Sequence, residues 1–187
     1  MADDGKISTG TRVSRLAWPV SALVIAASVG LFSLQSVAQT AAPAAVVSGR
    51  ARVTEGDTIR IGDRRIRLWG IDAPESGADC GNEHPSRDSR AALREIVDNQ
   101  TVSCTVRETR NGRDIAACTA RGHDVATTLV ERGWARDWPR HSCGAFASAE
   151  AQARQHHRGL WAMQCATMWG DRNYSADRCS QPPAAPH

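Results

Sequence analysis

From residue 46 onward, apolar positions come in short alternating runs separated by glycine-containing turns. Residues 46–53 alternate loosely and predict a first strand. Gly56-Asp57 turns the chain into a second strand at 58–61, with Ile59 and Ile61 on one face. Gly62-Asp63 turns it again into a third strand at 65–71, completing a β-meander. Residues 77–85 form a loop. Ser86 is placed to cap a helix running to about Val97, whose apolar stripe is Ala92, Leu93, Ile96 and Val97. Two more strands, 101–109 and 113–119, make a hairpin around Arg110-Asn111-Gly112, a three-residue loop ending in the glycine that a bulged hairpin uses. Asp124 starts a second helix that ends near Gly133, with Ala126, Leu129 and Val130 inward. Residues 134–145 are a loop rich in Trp, Arg and His. A third helix spans about 147–158 and stops at Gly159. Residues 172–187 are polar and proline-containing, and predict a loose tail. Three strands, a helix, two strands and two helices define an α+β fold: a five-stranded OB-type β-barrel with three helices.

The N-terminal pattern differs. Lys6, Arg12 and Arg15 precede an uncharged stretch at 16–34, and Ser36-Val37-Ala38 follows it. This is the layout of a signal peptide cut after Ala38. The stretch is also long enough for an uncleaved anchor. Either way the basic flank stays inside, so the rest is periplasmic or secreted, or tethered facing out of the cytoplasm. The chain thus divides into a signal or anchor at 1–38, a linker at 39–45, the barrel domain at 46–162 and a tail at 163–187. All six cysteines lie beyond the signal, and an even count in an exported chain points to disulfides. A zinc site is the competing reading, but the sequence has no Cys-x-x-Cys pair and no histidine at finger spacing. With Thr109 and Arg113 closing the hairpin, Cys104 and Cys118 lie opposite each other, within disulfide reach. Cys80, Cys143, Cys165 and Cys179 allow three pairings. Cys80–Cys143 and Cys165–Cys179 are preferred, because Cys80 and Cys143 both fall in loops near the proposed site.

Bulk charge adds little: the formal net charge is +3, and Lys6 is the only lysine. Placement says more. The strand Ile66-Arg67-Leu68 runs into Asp72-Ala73-Pro74-Glu75, where Pro74 cannot donate to a ladder and holds Ala73 extended. Two carboxylates and a backbone carbonyl therefore stand at a strand tip, and Glu55-Gly56-Asp57-Thr58 puts more acid in a turn upstream. Each fragment alone has a plain structural reading: a common Gly-Asp turn, an acidic helix entrance, a solvated hairpin arginine at Arg113. Together they supply every role that phosphodiester hydrolysis needs. Asp57 and Asp72 are hard oxygen ligands for Ca²⁺ or Mg²⁺. Glu75 is an ionised carboxylate able to deprotonate water. Arg67 and Arg113 are permanent cations for a phosphate. One geometric difficulty stands against this. Strict alternation puts Arg67 and Asp72 on opposite faces of one strand, so a shared site requires the chain to leave the ladder near Gly70.

The ordered motifs Gly56-Asp57-Thr58, Ile66-Arg67-Leu68, Ile71-Asp72-Ala73-Pro74-Glu75, Gly112-Arg113, residues 129–135, residues 149–154 and Gly159-Leu160-Trp161 resemble the thermonuclease, or staphylococcal nuclease-like, family over residues 46–161. The resemblance implies a Ca²⁺-dependent endonuclease that cuts DNA and RNA to leave 3′-phosphates. Asp57, Asp72 and the Ala73 carbonyl would hold calcium, Glu75 would be the general base, and Arg67 and Arg113 would bind phosphate. Trp138 and His141 are the candidate substrate contacts. The sequence departs from the family pattern at Glu55 (often aspartate), at Asn111 and His141 (often tyrosine), and in residues 76–84, which lack the basic loop. Two other functions fit an OB-type barrel: a non-catalytic nucleic-acid-binding module, and a membrane-tethered envelope structural module. The expected partner is a nucleic-acid substrate, with a membrane tether if the signal is retained and no obligate protein partner.

Overall fold

A computed structural model describes residues 44–180. The predicted signal or anchor at 1–38 lies outside the described residues. Strand β1 (Val46–Glu55) pairs antiparallel with β2 (Thr58–Ile61), and β2 with β3 (Arg64–Leu68). A short strand β4 (Ile71–Asp72) follows, then helix α1 (Pro85–Val97). Strands β5 (Thr101–Arg110) and β6 (Arg113–Ala120) form the long hairpin, with the two-residue β7 (His123–Asp124) on its outer edge. Helix α2 (Val125–Glu131), strand β8 (Arg136–Asp137), the single turn α3 (Pro139–Ser142) and helix α4 (Ala147–Gln155) complete the regular part. Three 3₁₀ turns, at Gly159–Ala162, Ala166–Trp169 and Asp177–Ser180, carry the chain onward.

The strand order β3-β2-β1-β5-β6 closes on itself through a parallel pairing of β3 with β6. This is the five-stranded barrel of the OB-type α+β fold. Its interior holds Ile59, Ile66, Leu68 and Val102, and α1 and α2 cover it with Leu93, Val97, Leu129 and Val130, all essentially excluded from solvent. Closure sets Arg65 beside Arg113 and Arg67 beside Ile115, so the parallel seam brings both candidate phosphate-binding arginines to one end of the barrel.

The hairpin differs from expectation in an instructive way. Its loop has two residues, not three: Arg110 pairs with Arg113 across Asn111-Gly112, both at positive φ (51° and 70°). These are the angles of a type I′ turn, whose twist matches antiparallel strands. A register shift between Val106 and Glu108 adds one residue to β5. The shift offsets the shorter loop, so Cys104 still faces Cys118, and the structure joins them.

The other disulfides join Cys80 to Cys165 and Cys143 to Cys179, correcting the preferred pairings Cys80–Cys143 and Cys165–Cys179. Cys165 and Cys179 are close in sequence, but the segment between them crosses the molecule. One end stays beside the loop that follows β4, and the other reaches the end of α3. The tail, expected to be loose, is therefore pinned as far as Ser180. Smaller corrections concern helix ends. Helix α1 starts at Pro85, a residue pre-organised for a first helical position, so Ser86 lies inside the first turn and does not cap it. Asp124 does cap α2, accepting from the Thr127 N–H at 2.7 Å. Among the described residues no helix is long and apolar enough to cross a membrane.

Gly70, between β3 and β4, has φ +77°, and an added Cβ would lie 2.8 Å from the Phe146 ring and 3.1 Å from the Ser142 Cβ. Gly112 has φ +70° with nothing within 4 Å of such a Cβ. Gly112→Ala should cost about 1–2 kcal/mol of unfolding free energy from backbone conformation alone. Gly70→Ala should cost a further ~1–3 kcal/mol for the overlap. Equal losses in denaturant unfolding would show that the α3–α4 connection yields freely at Gly70.

Candidate active site

The site depends on the way the chain leaves the barrel. Strand β3 ends at Leu68, whose N–H donates to the Asp57 carbonyl at 2.8 Å, and Trp69 N–H still donates to Ala116 across the seam. At Gly70 the backbone then turns out of the sheet. Ile71 and Asp72 pair instead with Asp137 and Arg136 of β8, forming a separate two-stranded ladder. This departure removes the alternation difficulty. Arg67 Nη2 lies 2.7 Å from Asp57 Oδ2 and 3.0 Å from Asp72 Oδ1, so side chains from the β1–β2 turn, β3 and β4 meet.

Asp57 and Asp72 are both buried. A buried carboxylate must be paired to remain charged, and each has Arg67. Asp57 Oδ1 also accepts from the Thr58 hydroxyl at 2.8 Å. Two residues from the tail complete the shell around Asp72. The Tyr174 hydroxyl donates to its Oδ2 at 2.6 Å, and the Arg172 guanidinium pairs with its Oδ1. The same guanidinium pairs with Glu75 and lies 3.5 Å from the Ala73 carbonyl oxygen. Burial raises the Tyr174 pKa, so its hydroxyl keeps its proton and donates. Glu75 stands at the rim, its side chain 62% exposed.

Beside this cluster is a cleft of about 400 Å³ whose walls include Arg67, Arg113, Trp138 and His141. Arg110, Arg140 and Arg178 line it too, and its one acidic residue, Glu108, is held by Arg110 at 2.6 Å. The positive charge that the bulk composition does not show is concentrated here. Trp138 forms a wall: the Arg67 guanidinium lies 5.3 Å from its ring centroid, and His141 meets its edge at 4.5 Å. Burial first, and then the charges of Arg178, Arg140, Arg110 and Arg67, lower the His141 pKa from 6.5.

The structure thus brings Arg67, Asp57 and Asp72 into contact, with the Ala73 carbonyl and Glu75 joined to them through Arg172. It sets Arg113, Trp138 and His141 around the adjoining cleft. Glu55 is engaged by Arg65 at 3.0 Å. Among the described residues no three His, Cys, Asp or Glu side chains converge as a metal-binding group; the oxygen donors gathered here are two carboxylates and a carbonyl. Sequence reasoning missed Arg172, Tyr174 and Arg136, the last of which stacks on the Tyr174 ring at 3.7 Å. A signal for the first two was present. They lie between Cys165 and Cys179, and a segment flanked by paired cysteines is unlike a free tail.

This barrel, with paired carboxylates and arginines at one end, defines the class to which the chain belongs. Residues 65–163 match the family of staphylococcal nuclease homologues, and the chain is a member of that family. A succinoglycan biosynthesis protein, ExoI, of Rhizobium meliloti (strain 1021) is 32% identical over 126 residues, covering 63% of this chain and 66% of that protein. An uncharacterized endonuclease of Escherichia coli is 34% identical over 124 residues, covering 62% of this chain and 78% of that protein. A probable endonuclease, LCL3, of Schizophyllum commune is 26% identical over 116 residues, covering 52% and 40%.

His141 provides a pH test of the cleft. With its native pKa depressed, the unfolded chain binds the proton that the native chain refuses. The stability arising from this group is therefore complete above 6.5 and falls as the pH drops below that value. An NMR titration should place the native midpoint below 6.5, and Arg178→Gln should raise it. A midpoint at or above 6.5 would mean that His141 does not sit among these arginines.

Proposed function

We propose that this protein is an exported, calcium-dependent endonuclease that hydrolyses phosphodiester bonds of DNA, RNA or both. The observation that carries this reading is the convergence of Asp57 and Asp72 on Arg67, beside an arginine-lined cleft to which Arg113 contributes. Retention of all five functional side chains favours catalysis over a barrel that only binds nucleic acid. Family membership and the two relatives named as endonucleases support the same reaction class.

The donor set suits a hard cation. Carboxylates of Asp57 and Asp72 with the Ala73 carbonyl are the oxygens calcium favours, with further positions left to water and substrate. Bound there, calcium would supply fixed positive charge for a phosphate approaching from the cleft. Arg67 and Arg113 donate to the phosphate oxygens and offset the charge that builds as phosphorus becomes five-coordinate. Glu75 takes a proton from water, the water oxygen bonds to phosphorus, and the bond to the 5′ oxygen breaks; that oxygen takes a proton from solvent, leaving a 3′-phosphate and a 5′-hydroxyl. Trp138 offers an aromatic face to a base or sugar at the cleft wall. Three disulfides favour an oxidising compartment, in agreement with export directed by residues 1–38.

Plasmid DNA and RNA should be cleaved with Ca²⁺ and left intact with EDTA, with Mg²⁺ as the comparison. Glu75→Gln should lower turnover by roughly two to four decades while leaving the fold intact, the range of a lost general base. Wild-type turnover in that variant would remove Glu75 from the mechanism. Arg67→Lys should also be severely impaired, because a point charge cannot span two carboxylates and a phosphate as a planar fork does. Export has its own test. Intact mass of the extracytoplasmic protein should place the N-terminus at Gln39 or within a few residues, and a mass retaining residues 1–38 would favour the anchor.

A further inference from the structure

The segment between Cys165 and Cys179 is anchored at both ends, to Cys80 and to Cys143. It crosses the proposed catalytic atoms in a built seat. Trp138 Nε1 donates to the Asn173 carbonyl at 2.8 Å. The Tyr174 ring packs on the Arg136 guanidinium, which also lies 5.1 Å from the Trp169 ring centroid, and Trp169 stacks on Trp161 at 5.5 Å. From this seat Arg172 reaches Asp72, Glu75 and the Ala73 carbonyl, while Tyr174 takes the remaining oxygen of Asp72.

These are the atoms assigned above to calcium and to water activation. With the arm seated, both Asp72 oxygens are in use and the general base is tied in an ion pair. Arg67 already pairs with Asp72 Oδ1, and the arm adds Arg172 to that oxygen and to the Ala73 carbonyl and Tyr174 to Oδ2, so the donor positions a divalent cation needs are taken while the arm is seated. We propose that the C-terminal arm is a built-in competitor of calcium: Arg172 and Tyr174 close the site, and calcium binds only to molecules whose arm has lifted. The proposal rests on the calcium reading of Asp57 and Asp72. Thirteen residues separate Cys165 from Cys179, and in this proposal the arm lifts with both disulfides intact. The tethers keep Arg172 at high effective concentration, so the competition is intramolecular. Apparent calcium affinity is then reduced by the fraction of molecules with the arm lifted.

The test is calorimetric titration of Ca²⁺ into the full chain with its disulfides formed, comparing wild type, Arg172→Ala, Tyr174→Phe and Asp72→Asn. If the arm is lifted in about one molecule in ten, Arg172→Ala should tighten the Kd about tenfold. Tyr174→Phe, which keeps the ring on Arg136, should tighten it by a smaller factor, and Asp72→Asn should abolish binding. Saturating Ca²⁺ should also speed tryptic cleavage after Arg172 in the wild type. Asp72-dependent binding that Arg172→Ala leaves unchanged or weakens, with cleavage indifferent to Ca²⁺, would overturn the arm and leave the calcium reading standing. Absence of Ca²⁺ binding in both folded wild type and Arg172→Ala would overturn the calcium reading, and the arm's role with it.

Discussion

The site depends on one backbone departure. A strand that continued straight through Gly70 would carry Asp72 to the opposite face from Arg67, and no cluster would form. Because the chain turns out at Gly70, where Phe146 and Ser142 leave no room for a side chain, Asp72 joins β8 and points back at the arginine. The barrel supplies Asp57 from the β1–β2 turn and Arg67 from β3, and the short β4–β8 ladder supplies Asp72. Each part alone is ordinary, and the cluster exists only where they meet.

Charge explains much of what surrounds that meeting point. Buried carboxylates at Asp57 and Asp72 would be expensive without partners, and Arg67 serves both. The parallel β3–β6 seam sets Arg113 near the same mouth, and the Asn111-Gly112 turn ends the hairpin beside it. Arg140 and Arg178 come from α3 and the tail, so the positive cleft is assembled from separate parts of the chain. A formal charge of +3 gives little hint of such a local field. Stacked arginines and aromatic rings then hold the arm: Arg154 on Trp161, Trp161 on Trp169, Arg136 on Tyr174.

The disulfides have different structural consequences. Cys104–Cys118 lies inside the barrel and fixes the register of the hairpin that presents Arg113. The other two bonds hold the segment that crosses the site. A chain of this size has core enough to fold without such bonds, so their placement is better explained by what they position.

The barrel was legible in the amino-acid pattern, since alternation and turn residues are local signals, and the fold follows once five short strands and a covering helix are counted. The same pattern also pointed to candidate side chains, because Asp57, Arg67, Asp72, Glu75 and Arg113 sit in motifs only a few residues long, and the structure brings Asp57, Arg67 and Asp72 into contact. Even the pairing of Cys104 with Cys118 was legible, although for a partly mistaken reason: the loop is one residue shorter and β5 one residue longer than the pattern suggests. The remaining disulfides and the place of Arg172 and Tyr174 emerged only from the folded chain. Local patterning specifies which face of an element is buried, but not which distant segment arrives to cover a charged mouth. That choice depends on Arg136, Trp138, Trp161 and Trp169 being gathered from separate elements, and on their making a seat whose shape no short stretch of sequence contains.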